Sequence, residues 1–359
     1  MLNRMGTMAW CSSPSILRRV EAMKKPGKLT LANLPTPLQR LPRLSAQLGV
    51  NLLLKRDDLT GAALSGNKVR KLEYSFAEAE RQGANVILTT GGVQSNHCRA
   101  TAIVARQRGL EVGLLLRTAD GKAPGSLDGN YLLNALIGAD LRHITPAQYG
   151  DRNALLEAWA REHSEAGRRP YVIPEGASNA LGSLGYVDMA LELAAQLGEA
   201  PWAGEHIDLI AHACGSGGTA AGLAVGRAQA QLDCAHHVYV VCDDAPTFQA
   251  RIDGIIAEMV ERFAEDGEPL HAPFEVIDEY KGIGYALSTP EELSFIAEIA
   301  RLEGIFLDPV YTGKALFGLV KDVQAGRIEQ GSTVLFVHTG GIFGLFPARD
   351  LLAAATIRP

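Results

Sequence analysis

Cysteine is scarce and unpatterned: Cys11, Cys98, Cys214, Cys234 and Cys242 are five in 359 residues, and no two form a C-x-x-C pair. An odd, unspaced set argues against a disulfide framework and a zinc site, and it fits a reducing compartment. An excess of basic charge is missing as well. Lys and Arg number 34 against 40 Asp and Glu, a net −6 with no basic stripe, which argues against nucleic acid and leaves a small molecule as partner. No apolar run approaches the roughly 18 residues of a membrane span, so no membrane association is expected. Internal repeats and low-complexity tracts are absent, which removes solenoid architectures.

What is present is 47% hydrophobic content, enough for two cores and hence two domains. The first 28 residues depart from the rest, with Arg4, Arg18, Arg19, Lys24, Lys25 and Lys28 against Glu21 alone. They read as an N-terminal extension outside the fold: an organellar transit segment, or an over-long start ahead of Met5, Met8 or Met23. The remainder is expected to be cytoplasmic.

From residue 50 onward short β-rich apolar runs alternate with helical stretches, the α/β pattern. Strands are expected at 51–55, 86–90, 111–117, 170–174, 207–213, 237–242 and 333–338. Amphipathic helices are expected from residue 68 to Gly83 and at 100–107, 154–163, 185–197, 220–230, 290–302 and 313–325. Right-handed crossovers then give two open, twisted, mostly parallel sheets flanked by helices, with ligands at the carboxyl ends of the strands. Composition shifts at 60–66 and 175–183 suggest a small domain, 69–178, inserted into a large one built from 29–68 and 179–359.

Five loops carry the polar groups. Ser65-Gly66-Asn67-Lys68 places the Lys68 amine on the first turn of a helix, with Asn67 as the expected N-cap. The positive helix end and the neighbouring Arg70 and Lys71 favour an uncharged amine, the form that Schiff-base chemistry needs. Strand 207–213 runs into Cys214-Gly215-Ser216-Gly217-Gly218-Thr219 and then a helix, the arrangement of an anion nest. No G-K-[ST] follows, so it is not a Walker loop; a phosphate monoester, a dinucleotide read through G-x-G-x-x-A, and a structural turn all remain open. Gln94-Ser95-Asn96-His97 opens the helix carrying Arg99. Tyr311 precedes another helix start, and Tyr285 lies in a glycine-containing segment. A reactive lysine, a phosphate nest and two tyrosines form one site if the ligand is a phosphorylated aldehyde, of which pyridoxal 5′-phosphate is the obvious case.

With Leu34-Pro35-Thr36-Pro37-Leu38, Lys55-Arg56-Asp57-Asp58, Gly185-Tyr186, Asp308-Pro309-Val310-Tyr311 and His338-Thr339-Gly340-Gly341 added, the chain resembles, over about 34–346, the D-cysteine desulfhydrase and 1-aminocyclopropane-1-carboxylate deaminase family. This family has the tryptophan-synthase-β-like fold of type II pyridoxal phosphate enzymes. The resemblance implies a Schiff base at Lys68 next to Asn67, and Asn96 on the cofactor's phenolic oxygen. It puts Ser95 on the carboxylate of a small amino-acid substrate and the phosphate on Cys214 through Thr219. Tyr285 and Tyr311 become active-site tyrosines, Thr312 and Thr339 neighbours of the pyridine nitrogen, and the protein a homodimer. Members resembling the deaminase carry glutamate and leucine where Thr312 and Thr339 stand, so the implied activity is desulfhydrase-like β-elimination. Deaminase and L-cysteate sulfo-lyase activities are the alternatives. Ser65, Glu175-Gly176-Ala177, Ala286 and Ser288 depart from the family pattern, and the last two border the substrate.

Overall fold

The computed structural model describes residues 23–264 and 271–356. Two sheets organise them. The larger has six strands: β1 (Leu38–Arg40), β2 (Asn51–Lys55), β7 (Leu209–Cys214), β8 (Ala235–Val240), β9 (Glu275–Ile277) and β10 (Thr333–Val337). Their order is β1-β2-β10-β7-β8-β9, with only β1 antiparallel to its neighbour. The smaller sheet is all parallel, in the order β5-β4-β3-β6, from β3 (Val86–Gly92), β4 (Glu111–Arg117), β5 (Asp140–Ile144) and β6 (Pro170–Val172). The expected α/β class with two largely parallel sheets therefore holds.

Helices cover both sheets: α1 (Pro42–Leu48), α2 (Lys68–Arg81), α3 (Asn96–Gln107), α4 (Gly129–Leu136), α5 (Pro146–Tyr149), α6 (Arg152–Glu165), α7 (Ala180–Leu197), α8 (Gly218–Gln229), α9 (Ala245–Phe263), α10 (Pro290–Glu303), α11 (Thr312–Gln324) and α12 (Arg349–Thr356). The β2, β7 and β10 runs are buried on both faces, which is why they read as continuous apolar stretches without alternation. Three strands were not expected from the sequence. Two of them, β1 and β9, have three residues each, and β5 reads Asp-Leu-Arg-His-Ile. The long helix α9 was also not anticipated, although its buried Phe248, Ile252, Ile255, Ile256, Met259 and Phe263 recur at helical spacing behind an Asp244 N-cap.

The expected extension 1–28 ends earlier than proposed. Residues 1–22, and with them most of the basic segment, lie outside the described residues. Met23, however, is buried in the core beside α7, α8 and α9, and Lys25 Nζ lies 2.6 Å from Asp188. Lys28 reaches both Asp188 at 2.8 Å and Glu73 at 3.2 Å. These lysines pair with carboxylates of α7 and α2, so part of the basic charge belongs to the fold.

A buried ionic network ties the large sheet to α2 and α7. The Arg70 guanidinium donates to both carboxylate oxygens of Asp57 at 2.9 Å and to Glu192 at 2.9 and 3.0 Å. Lys55 Nζ and the Tyr186 hydroxyl complete it by donating to Glu192 and Asp57. Arg70 holds the Asp57 carboxyl below its usual range despite burial. Removing one partner would strand buried charge, so this network is an all-or-none element that orients α2.

Candidate active site

The strand ends of both sheets converge on one cleft. Asn67, Lys68, Ser95, Asn96, Cys214, Gly215, Ser216, Gly217, Thr219, Tyr285, Tyr311 and Thr339 all line it. Lys68 opens α2 directly after Gly66, which has φ +93° and would bring an added Cβ to 2.8 Å from the Thr339 carbonyl. The Asn67 amide N–H donates to that same carbonyl at 3.0 Å. The loop before α2 is thereby stitched to the loop after β10, which aims the Lys68 side chain into the cleft.

Burial lowers the Lys68 amine to about 8, with Cys214 and Glu175 acting in the opposite direction. The sequence pointed to the right outcome through a partly wrong cause. Arg70 faces away into its carboxylates, and desolvation does what nearby cations were expected to do. Asn67 also departs from expectation: its backbone is already helical at φ −55° and its side chain caps nothing. It instead donates to Thr219 Oγ1 at 3.2 Å, bridging the lysine loop to the glycine loop.

The glycine loop forms the expected concavity. Gly217 adopts φ +89°, and α8 begins at Gly218 with its N-terminal N–H groups free of a side-chain cap. A Cβ on Gly215 would lie 2.8 Å from the Tyr311 ring, so a glycine is what lets the phenol approach. Gly218 does not line the cleft itself; a Cβ there would lie 2.8 Å from Lys71 Nζ. Lys71 is fully buried, and its acceptors among the described residues are Ser178 Oγ at 3.2 Å and the Gly176 carbonyl at 3.4 Å. Burial and Lys68 push its amine well down. A buried amine with no carboxylate partner among the described residues, placed directly behind an anion nest, gains its charge if an anion sits there. Sequence reading counted Lys71 only as a neighbour of Lys68, since one turn of helix does not reveal what lies behind a loop 147 residues away.

At the start of α3, Ser95 is the N-cap and accepts from the Cys98 N–H at 3.2 Å. Asn96 Oδ1 accepts from Asn130 Nδ2 at 3.0 Å and lies 3.5 Å from Arg99 Nη1. Arg99 also donates to the Ser65 carbonyl at 2.6 Å. With its oxygen committed, Asn96 presents its amide N–H groups to a ligand oxygen. Asn130, on α4, gave no sequence signal. His97 donates from Nε2 to Thr89 Oγ1 at 2.8 Å, because the single Thr89 proton goes to the Ile173 carbonyl; burial keeps the ring neutral.

Tyr285 and Tyr311 face each other with hydroxyls 2.6 Å apart and rings T-shaped at 74°. Burial raises Tyr285 to about 12 and Tyr311 further. Thr312 does not meet expectation. It is fully buried outside the cleft, its Oγ1 donating to Asp308 Oδ1 at 2.8 Å and accepting from the Asp308 N–H at 2.9 Å. Residue neighbours at a helix start diverge by about 100°, so Thr312 turns away where Tyr311 turns in. Thr339 does line the cleft. Glu175 lines it too, its carboxylate accepting from the Tyr149 hydroxyl and pairing with Arg152 Nε at 3.2 Å.

Residues 29–340 match the family of pyridoxal-phosphate dependent enzymes. The chain is 41% identical to the mitochondrial bifunctional D-cysteine desulfhydrase/1-aminocyclopropane-1-carboxylate deaminase of Arabidopsis thaliana, over 90% of this chain and 80% of that protein. It is 42% identical to a Thermotoga maritima protein provisionally named a 1-aminocyclopropane-1-carboxylate deaminase, over 89% and 97% of the two chains. Among solved structures, one of an ACC deaminase homologue superposes with a TM-score of 0.82 at 36% identity, over 92% of this chain and 96% of that one. The cleft fits the family's cofactor. The buried Lys71 amine and the glycine nest suit its phosphate, the neutralisable Lys68 amine its aldehyde, and the Asn96 amide nitrogen its phenolic oxygen.

Proposed function

Because the chain belongs to the family of pyridoxal-phosphate-dependent enzymes, we propose that it is a β-eliminating lyase converting D-cysteine, or a close β-substituted amino acid, to pyruvate, ammonia and sulfide. The observation that carries the choice is at Thr312 and Thr339. Where deaminase-like chains place glutamate, Thr312 spends its hydroxyl on Asp308, and the remaining candidate for the ring nitrogen is the neutral Thr339. A neutral partner leaves a moderate electron sink, which suffices when a thiolate can depart but is less suited to opening a cyclopropane ring.

In this reading Lys68 would hold the cofactor by its aldehyde, Gly215 to Thr219 and Lys71 would hold the phosphate, and Asn96 the phenolic oxygen. When bound, the cofactor supplies the electron-withdrawing ring that acidifies the substrate α-C–H. Ser95 and the α3 N-terminus orient the substrate carboxylate. The Lys68 amine, roughly a tenth neutral at pH 7 for a value of about 8, takes the α-proton. The Tyr285–Tyr311 pair delivers a proton to the departing sulfur. Hydrolysis of the remaining carbon skeleton balances the reaction as D-cysteine plus water to pyruvate, ammonia and hydrogen sulfide.

The division into a small domain, 69–178, and a large one from both flanks is part of the proposal; the four strands of the small sheet lie between Val86 and Val172. So are a homodimer, supported by exposed Phe306, Phe346 and Leu351, and cytoplasmic residence, supported by the unpaired cysteines. No helix of the described residues is long and apolar enough to cross a membrane. Borohydride reduction of the cofactor-loaded protein should put a pyridoxyl mass on the Lys68 peptide, and Lys68→Ala should abolish pyruvate release. Pyruvate assays across D-cysteine, L-cysteine, L-cysteate and 1-aminocyclopropane-1-carboxylate separate the candidate substrates. Preference for the cyclopropane would sink the desulfhydrase reading.

A further inference from the structure

The two phenols of the Tyr285–Tyr311 pair have different surroundings. Arg117, the last residue of β4, stacks its guanidinium over the Tyr285 ring at 5.1 Å and over the Tyr149 ring at 4.6 Å. Tyr149 is itself held by its bond to Glu175 and by Arg152 at 4.9 Å from its ring. Around Gly92 the groups converge: an added Cβ would lie 3.8 Å from the Tyr285 hydroxyl and 4.0 Å from Arg117 Nη2. The segment carrying Tyr285 has few other anchors, chiefly Lys314 Nζ on the Lys281 and Gly284 carbonyls at 2.6 and 2.7 Å and Ser288 Oγ on the Pro309 carbonyl at 2.9 Å. Ala286 sits there at φ +59°, a conformation that costs a non-glycine residue energy and leaves the segment reliant on those anchors.

We propose that Arg117 is a positioning residue that clamps Tyr285 against Tyr149 and makes Tyr285, rather than Tyr311, the phenol that exchanges a proton with the substrate. This rests on the lyase reading above. The charges facing the two hydroxyls differ in the required sense. Around Tyr285, Arg117 and the Tyr311 hydroxyl favour the ionised phenol, against burial, Glu175 and Cys242. Around Tyr311, burial, Tyr285, Asp308 and Glu175 all oppose ionisation. The Arg117 cation on the face of the Tyr285 ring therefore gives the pair a direction, with Tyr311 donating to Tyr285 and the Tyr285 proton left for the cleft that both phenols line.

The test uses the cofactor-loaded protein with a fluorinated tyrosine installed at position 285 or, separately, at 311. Fluorination brings the phenol into an accessible pH range, and the 19F resonance reports its ionisation. We expect the probe at 285 to titrate below the probe at 311, and Arg117→Met to raise the midpoint at 285 by roughly one unit while leaving that at 311 nearly unmoved. The pH limb of kcat/KM for D-cysteine should move with it, and Arg117→Lys, which keeps the charge, should return part of the shift. Arg117→Gln serves as the uncharged variant should the methionine variant not fold. An unmoved midpoint at 285 in the uncharged variant, or a probe at 311 that titrates first, overturns the assignment. Absence of pyruvate release by the unmodified enzyme would overturn the lyase reading instead, leaving the titration difference to be judged separately.

Discussion

Removing the Lys71 amine should strengthen the empty protein and weaken the loaded one. In Lys71→Met the chain keeps nearly the same stem volume and loses a fully buried amine, pushed toward its neutral form in the empty protein and bonded, among the described residues, to one hydroxyl and one carbonyl. An under-satisfied buried polar group costs about 1–3 kcal/mol, so the apo variant should gain that stability. With an entropy of unfolding near 2.1 cal/mol/K per residue, the gain corresponds to a rise of about 1–4 °C in the apo melting temperature. Once the nest holds a phosphate, the anion favours the protonated amine, which then makes a charge-assisted bond of about 1.5–3 kcal/mol, and its loss should weaken cofactor affinity by roughly 10- to 100-fold. The assays are thermal melts of the apo protein and absorbance titrations with pyridoxal 5′-phosphate. Inorganic phosphate should likewise stabilise the unmodified apo protein more than the variant. A variant that binds the cofactor as tightly as the parent would refute the placement of Lys71 behind the phosphate.

Three further outcomes are expected. A lowered lysine is neutral above its shifted value, so capture of the cofactor by the apo protein should accelerate as pH rises through about 8 and level off above it; a half-rise above pH 10, followed by stopped-flow absorbance, would mean that Lys68 is not buried as described. Arg70→Met leaves the Asp57 and Glu192 carboxylates buried without their guanidinium and should cost about 3–5 kcal/mol in denaturant unfolding while the Lys68 adduct still forms. Thr312→Val should destabilise the Asp308 turn and leave the absorbance of the bound cofactor unchanged, whereas Thr339→Val should shift it; the opposite pattern would restore Thr312 to the ring nitrogen.

The legible parts of the site were those in which one loop carries its own chemistry. The run from β7 through Gly215, Gly217 and Gly218 into α8 announces an anion nest because the glycines and the helix start are consecutive. Lys68 on a first turn was legible for the same reason. Where a role depends on which way a side chain turns, sequence adjacency misled: Thr312 follows Tyr311 yet faces Asp308, and Asn67 sits at a capping position yet bonds Thr219 across the cleft. The motifs around Thr36, Asp57 and Tyr186, which carried the family resemblance, form the ionic network behind α2. Groups such as Asn130, Tyr149 and Arg117 left no trace, since each acts on a partner more than 25 residues away.

By itself the sequence determined the fold class, the cofactor and the place of Lys68 at a helix start, because strand–loop–helix units fold locally and their loops bear backbone donors and an amine whatever surrounds them. Tertiary structure alone decided the protonation and orientation of those groups. Burial, not the neighbouring cations, lowers Lys68; a buried Lys71 waits behind the nest; Asn130 turns the Asn96 amide; and Arg117 distinguishes Tyr285 from Tyr311. Desolvation and the facing of partners are properties of the packed interior, where charges from distant segments meet at a few ångströms in a medium that screens them weakly.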